Sequence, residues 1–434
     1  MTSGADPYVP GHGALDYDVT HYDLNLAYDV ETNRLEGTAR LECVAREETG
    51  EITLDLHLLD VSKVTLDGRA VRYRDRRGSL LLRPAAPVPV GEEFTVTVRY
   101  AGHPTPLKTR SLGTAGWEEL TDGVIVAGQP HGAPSWFPCN DRPSDKATYR
   151  ISLTVASGYH VVANGRLTSS RRHASSTTWV YEQDEPMATY LATVHVGRYV
   201  VRTEDGDVPI HAVLPRRLLG RYDAAFGRQR EMVDTFTRLF GPYPFEAYTV
   251  VVTDDDLEIP LEAQGLSAFG ANLLTSDWDS VRLVAHELSH QWFGNSLTLG
   301  RWQDIWLHEG FACYAEWIWS EESGGPTAHR RAREHHARLR DLDQDLVLAD
   351  PGPALMFDDR VYKRGALTLH ALRLTVGDAA FFDLLRGWTA KHAHGTVNTG
   401  AFVEFAELST GCDLTALLDA WLHREALPDL PAAR

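Results

Sequence analysis

A chain of 434 residues, 43% hydrophobic and 24% charged, with 11 Trp and 16 Tyr, has the composition of a globular protein and the length of two or three domains. Its net charge of −18 argues against nucleic acid as a partner, because that would call for a basic surface. Four scattered cysteines (Cys43, Cys139, Cys313, Cys412) form no C-x-x-C pair, and MTSGADPYVPGHGALDYDV has neither the basic start nor the apolar core of a secretory leader. No window approaches the roughly 20 apolar residues of a membrane span. A reduced, cytoplasmic protein with no membrane partner is expected.

In chain order, the first two hundred residues predict strands. THYDLNLAYDV, GTARLECVA, EITLDLHLL, EFTVTVRYAG, TYRISLTVASGYHVV, TTWVYEQ and TYLATVHVGRYVV alternate or are rich in β-branched residues. Asp67-Gly68 and Asn164-Gly165 are turn signals between some of them. Many short strands without helices between them imply an antiparallel sandwich or saddle-shaped sheet. Near residue 204 the period changes. Apolar residues at 222, 225, 226, 233, 236, 239 and 240 predict a helical stripe. GPYPF (241–245) then turns the chain into a strand, YTVVVTDD. Helices are expected over 278–294, 305–320, 365–376, 379–394 and 415–424. The expected division is a β domain over 1–204 and a mainly α-helical domain over 205–434.

The densest chemistry lies in VAHELSHQWFGN, residues 284–295. His286 and His290 are i and i+4, which puts both imidazoles on one helix face where they can share an ion. Glu287 lies about 100° further round the helix, beside that ion rather than on the ligand axis, where a general base for an activated water belongs. A third protein ligand that leaves one position open completes a catalytic zinc site. WLHEGFACYAEW offers Glu309, with 18 residues between it and His290, enough for a turn through SLTLGR and entry into a second helix. Imidazole and carboxylate donors suit zinc best.

HELSHQWFGN followed at this spacing by WLHEGFA resembles the zinc aminopeptidase family of aminopeptidase N and the leukotriene-epoxide hydrolases, the gluzincins. FGPYPFEAY and WFPCNDRPSDKATYRISLTV resemble further phrases of that family, and the matches span about residues 20 to 425. Three departures stand out: His308 replaces the family's Asn before the ligand Glu, and Asn140 and Arg142 replace residues of its F-P-C-F-D-E-P phrase. The resemblance implies an N-terminal β saddle followed by a thermolysin-like catalytic domain, one zinc ion, and peptide substrates with a free N-terminus. By motif context it implies that Tyr362, in YKRG where the family has Y-E-K-G, stabilises the tetrahedral intermediate. Glu262, in IPLEAQGLS where the family has G-A-M-E-N, is matched to the carboxylate that binds the substrate amine. Gln129, in VAGQPHG, is matched to a second amine contact. Glu316, seven residues after Glu309, is a candidate partner for a ligand histidine. Asp304 reads as a capping or network residue, and Trp292, Trp302, Trp306 and Trp317 read as core.

The expected activity is removal of N-terminal residues by a zinc-activated water with Glu287 as base. The unusual IPLEA loop also leaves room for a broader zinc hydrolase, an endopeptidase or an epoxide hydrolase, and a non-catalytic scaffold is a third reading. Relatives usually continue into a large helical domain that covers the site. Here the chain ends in DLTALLDAWLHREALPDLPAAR, so a short form with a more open site is expected. Oligomeric state has no signal in the sequence.

Overall fold

A computed structural model of the chain describes residues 6–432, apart from residues 77 and 111. The first five residues of the stretch read for a leader, and the last two of the C-terminal stretch, lie outside the described residues. The N-terminal half is a set of sheets built as the alternation implies. In Tyr17–Asp29, Leu24, Leu26 and Tyr28 point into the core while the residues between them face outwards. That strand lies near the middle of an eight-stranded sheet ordered Arg166–Arg172, Ser176–Met187, Ala147–Ala156, Tyr17–Asp29, Arg34–Ala45, Glu93–Gly102, Asp60–Leu66, Arg69–Ala70. The pairing is antiparallel except between Tyr17–Asp29 and Ala147–Ala156, which run parallel. Gly113–Leu120 and Gly123–Ala127, an unexpected hairpin, belong to a second, five-stranded sheet.

The C-terminal half packs helices against another five-stranded sheet, ordered Val200–Glu204, Ile210–Leu214, Tyr248–Val252, Leu266–Phe269, Leu261–Ala263. The first two of these strands form an antiparallel hairpin, so the expected boundary at 204/205 falls inside it. Leu261–Ala263, which carries Glu262, is the edge strand.

The helices are α1 (Leu219–Phe226), α2 (Gln229–Phe240), α3 (Trp278–Ser289), α4 (Trp306–Glu322), α5 (Ala328–Arg340), α6 (Asp359–Val376), α7 (Asp378–Lys391), α8 (Thr399–Thr410) and α9 (Thr415–His423). The predicted 218–240 stripe is buried as expected, but it breaks at Gly227–Arg228 into two helices. The helix expected over 278–294 stops five residues early, because Gly294 takes a φ of +131° and the chain turns back under α3. Helix α6 starts earlier than expected, capped by Asp358, whose side chain accepts the Arg360 N–H at 2.9 Å. Two helices were not predicted. In α5 the buried positions are Ala328, Ala332, His336 and Leu339, too small or polar to register as an apolar stripe. In α8 the start is set by Asn398, which accepts the Ala401 N–H at 2.9 Å, rather than by periodicity. Asp304 does the network work expected of it, accepting both the N–H and the hydroxyl of Thr399 at 2.9 and 2.6 Å. The four tryptophans read as core are buried.

The N-terminal segment also straps the two halves together. Asp6 accepts the Trp302 N–H at 2.7 Å, and the Tyr8 hydroxyl accepts the Gly352 N–H at 2.7 Å. No helix among the described residues is long and apolar enough to cross a membrane.

Candidate metal and active site

Helix α3 is launched by Asp277, whose carboxylate accepts the Ser280 N–H at 3.1 Å. One face of its last turn carries His286, and His290 sits at its C-cap. Helix α4 brings Glu309, in its first turn, against that face. The three side chains are buried, and one ligand atom from each lies within 4.8 Å of the others. His286 Nε2 and His290 Nε2 lie 3.3 and 3.6 Å from the same Glu309 oxygen, Oε2. Each imidazole is turned by a bond on its other nitrogen. His286 Nδ1 donates to Glu316 Oε1 at 2.9 Å, and His290 Nδ1 donates to the Phe293 carbonyl at 3.0 Å. Both acceptors lack protons to give, so Nδ1 carries a proton in each ring and Nε2 is the nitrogen left to face a metal.

Charge makes the same point. Burial pushes both imidazoles down, but Glu309 and Glu316 outweigh it at His286, raising it to about 10. Glu309 and Glu262 likewise raise His290 to about 9. Burial pushes Glu309 up, yet the two imidazoles hold it well below the usual carboxylate range. Glu316 is held down to about 2 by Lys363 and His286 against its own burial. The pocket therefore demands positive charge, and a divalent cation meets that demand with the donor set already converged. Two imidazoles and a carboxylate are donors that fit zinc.

Glu287 is buried on the adjacent helical position, and its Oε2 has no hydrogen-bond partner. Burial, with Glu262 and Glu309 nearby, raises it to about 8, while His286 and His290 pull the other way. Glu262, Glu287 and His290 also bring ligand-type atoms within 4.8 Å of one another, so the edge-strand carboxylate borders the same cavity. Gln129 reaches it from the N-terminal half, donating from Nε2 to Glu262 Oε1 at 2.6 Å. The two residues matched by motif context to the amine site are thus in contact across a sequence separation of 133. Tyr362, in the first turn of α6, stacks on His286 with ring centroids 6.1 Å apart and planes 19° apart. Burial and the carboxylates Glu309, Glu262 and Glu287 keep it a phenol, well above its ordinary value.

Several supporting residues had no part in the site assigned from the sequence. Gln291 accepts the Gly265 N–H at 2.8 Å and donates to the Ala263 carbonyl at 3.2 Å, and Asn295 donates to the same carbonyl at 2.9 Å. The tail of VAHELSHQWFGN therefore holds the strand bearing Glu262. Trp292 Nε1 bonds the Gly241 and Pro242 carbonyls, which anchors the GPYPF turn. Tyr190 packs edge-on against Trp302 at 5.0 Å and donates its hydroxyl to the Gly294 carbonyl at 3.3 Å. The departures from the family phrases have local partners. His308 accepts the Leu299 N–H at 2.8 Å. Arg364 ties down the end of α9 through the carbonyls of Trp421 and Glu425 at 3.0 and 2.6 Å. Asn140 bonds Asp145 at 2.6 Å inside the β half, where Arg142 pairs with Asp18.

This arrangement has counterparts. Residues 225–421 match the model of the peptidase family M1 domain, and residues 19–191 match that of the peptidase M1 N-terminal domain. The leucyl aminopeptidase of Saccharolobus solfataricus is 22% identical over 94% of this chain, and the aminopeptidase N of Lactococcus lactis is 24% identical over 94%. The chain spans about half the length of each, 54% and 52%. A crystal structure of an M1 zinc metallopeptidase from Deinococcus radiodurans superposes with a TM-score of 0.91 at 32% identity, covering 100% of both chains. With two halves that match successive M1 domains, and with a 32% identical M1 metallopeptidase that it covers from end to end, this chain belongs to the peptidase M1 family.

Proposed function

We propose that the protein is a zinc-dependent aminopeptidase that binds one zinc ion through His286, His290 and Glu309. The observation that carries this reading is the convergence of two Nε2 atoms on Glu309 Oε2 beside an unpartnered Glu287 oxygen. Zinc bound there supplies Lewis acidity towards a water and the scissile carbonyl. Glu287 takes the proton of the attacking water and returns it to the leaving amine, a role for which its unpartnered Oε2 beside the ligand set is available. Tyr362 donates its phenolic proton in a hydrogen bond to the oxyanion. Glu262 and Gln129 hold the substrate ammonium, and their fixed distance from the metal ligands restricts cleavage to the first peptide bond. A structure of the Deinococcus metallopeptidase as a mutant bound to a Tyr-Ser-Ala substrate, 32% identical with a TM-score of 0.91, supports short peptides as the substrate class.

We further propose residues 1–204 and 205–434 as the two units, joined through the hairpin that straddles them and meeting at the Gln129–Glu262 contact. The unpaired thiols among the described residues support a reducing, cytoplasmic setting.

The test is metal analysis with chelation and zinc add-back, followed by cleavage of free and N-acetylated aminoacyl amides. One zinc per chain, chelator-sensitive turnover and rejection of the acetylated substrates are expected. Equal turnover of both substrate sets sinks the aminopeptidase reading and leaves the broader hydrolase. Glu262→Ala removes a charged partner of the ammonium, a hydrogen bond of about 1.5–3 kcal/mol, so KM for free-amine peptides rises roughly ten- to hundredfold. The acetylated set is unaffected by the substitution, so the discrimination between the two sets narrows by the same factor.

A further inference from the structure

The metal ligand His290 is held from outside its own helix. Its Nδ1 bonds the Phe293 carbonyl, and the chain beyond it curls into a tight turn: Asn295, Ser296 and Leu297 donate their N–H groups back to the carbonyls of His290, Gln291 and Trp292 at 3.0, 3.1 and 3.1 Å. Gly294 has a φ of +131°, which side-chain-bearing residues rarely adopt, and a Cβ there would crowd His290 Nδ1 at 3.2 Å. Such a turn has carbonyls pointing away from the helix, and these carbonyls meet a cation from the other half of the molecule. Lys146 leaves the N-terminal unit just before strand Ala147–Ala156 and donates from Nζ to the carbonyls of Ser296, Asn295 and Gly395 at 2.9, 3.1 and 3.4 Å. An ammonium has three N–H groups, and here each has one carbonyl. The Gly395 carbonyl also accepts the Thr298 N–H at 3.1 Å, so the ammonium pins the turn after α3 to the turn after α7.

The neighbouring imidazole of His308 does not share this task. His308 Nε2 is occupied in accepting the Leu299 N–H at 2.8 Å, and the cation bonded to the carbonyls of this turn is Lys146. Loss of solvent lowers the ammonium, while the three carbonyls that accept its N–H groups favour the charged form. A cation held in this way serves a geometric purpose.

We propose that Lys146 is a positioning residue for His290: the N-terminal unit, through this ammonium, sets the 293–296 turn that orients the imidazole, and so controls how firmly the metal is retained. The proposal rests on the reading of His290 as a zinc ligand. It gives the β half a part in the metal site that is separate from contact with substrate.

The experiment follows zinc release from the loaded full-length protein into excess chromogenic chelator. Lys146→Met is expected to release zinc about tenfold faster or more, the range seen when groups that orient a ligand are removed. Tyr8→Phe, which loosens the N-terminal strap without touching the turn, is the control and is expected to stay within about twofold of wild type. Release from Lys146→Met at the wild-type rate overturns the proposal. Equal acceleration by Tyr8→Phe also overturns it, since that is general loosening of the two halves. If Lys146→Met does not fold, Lys146→Gln is read by the same criterion, because it keeps N–H donors on a shorter, uncharged arm. Wild type without zinc would bring down the functional reading itself, a result distinct from zinc held equally by wild type and variant.

Discussion

Glu287→Gln should lower turnover by about three orders of magnitude while the protein keeps its zinc. The substitution replaces a carboxylate oxygen with an amide nitrogen of nearly the same size, so the buried packing around position 287 is undisturbed. The ligands remain in place: Glu316 still holds His286, the Phe293 carbonyl still holds His290, and Glu309 still faces both imidazoles. What disappears is a group able to accept and return a proton, and general acid–base groups supply roughly 10²–10⁴ in rate. The counterpart is Glu309→Gln, where the lost negative charge sits between two imidazoles, so metal content falls together with activity. Measuring kcat/KM and bound zinc on the same preparations separates the two carboxylates. A Glu287→Gln protein within tenfold of wild-type activity, with zinc bound, means that the base is another group.

Part of the candidate site could be placed from the sequence because it depends on positions along one helix. The i, i+4 histidines and the neighbouring glutamate need only helical geometry to be placed together, whereas Glu309 lies on a second helix and needs α4 to pack against α3. Contacts between distant segments were of another kind. Gln129 and Glu262 could be named from motif context, but their 2.6 Å contact depends on how a loop of the β half meets an edge strand of the other half. Gln291 and Lys146 lie inside quoted motifs and Tyr190 outside them, but nothing in their spacing assigns any of the three a partner. The helix expected over 278–294 shows the same limit. Trp292 and Phe293 continue an apolar helical pattern, yet the chain leaves the helix after Ser289 and turns back at Gly294, which brings the Phe293 carbonyl to His290 Nδ1. Helix α5 escaped because alanine and histidine occupy its buried face, and α8 because a cap rather than a stripe defines it. The β half was read from period-two alternation, and its missed hairpin, Gly113–Leu120 with Gly123–Ala127, contains the glycines and paired glutamates that weaken such a pattern.

The largest stability effect is expected from a feature both motifs contain without explaining, the glycines of HEG and YKRG. Gly310 follows Glu309 on α4, and Gly365 lies three residues after Tyr362 on α6. The two helices cross at these residues. A Cβ on Gly310 would lie 2.7 Å from Gly365 Cα, and one on Gly365 would lie 2.6 Å from Gly310 Cα. The obstruction is backbone on both sides, so no side chain can rotate to relieve it. Taken alone, Gly→Ala inside a helix stabilises by about 1 kcal/mol. Overpacking of a close contact destabilises by about 1–3 kcal/mol, and rigid backbone places these positions at the upper end. Gly365→Ala should therefore lower the midpoint of thermal unfolding rather than raise it. Relief can come only by moving α6 away from α4, which carries Tyr362 away from Glu309 and His286. The folded fraction should then lose kcat while its zinc, held by α3 and α4, stays bound. Gly310→Ala should behave alike, and the double variant should cost less than the sum, because one displacement of α6 relieves both clashes. A Gly365→Ala protein that melts at or above the wild-type temperature would show that the crossing tolerates a methyl group, and the close approach of α4 and α6 would then not be what places Tyr362.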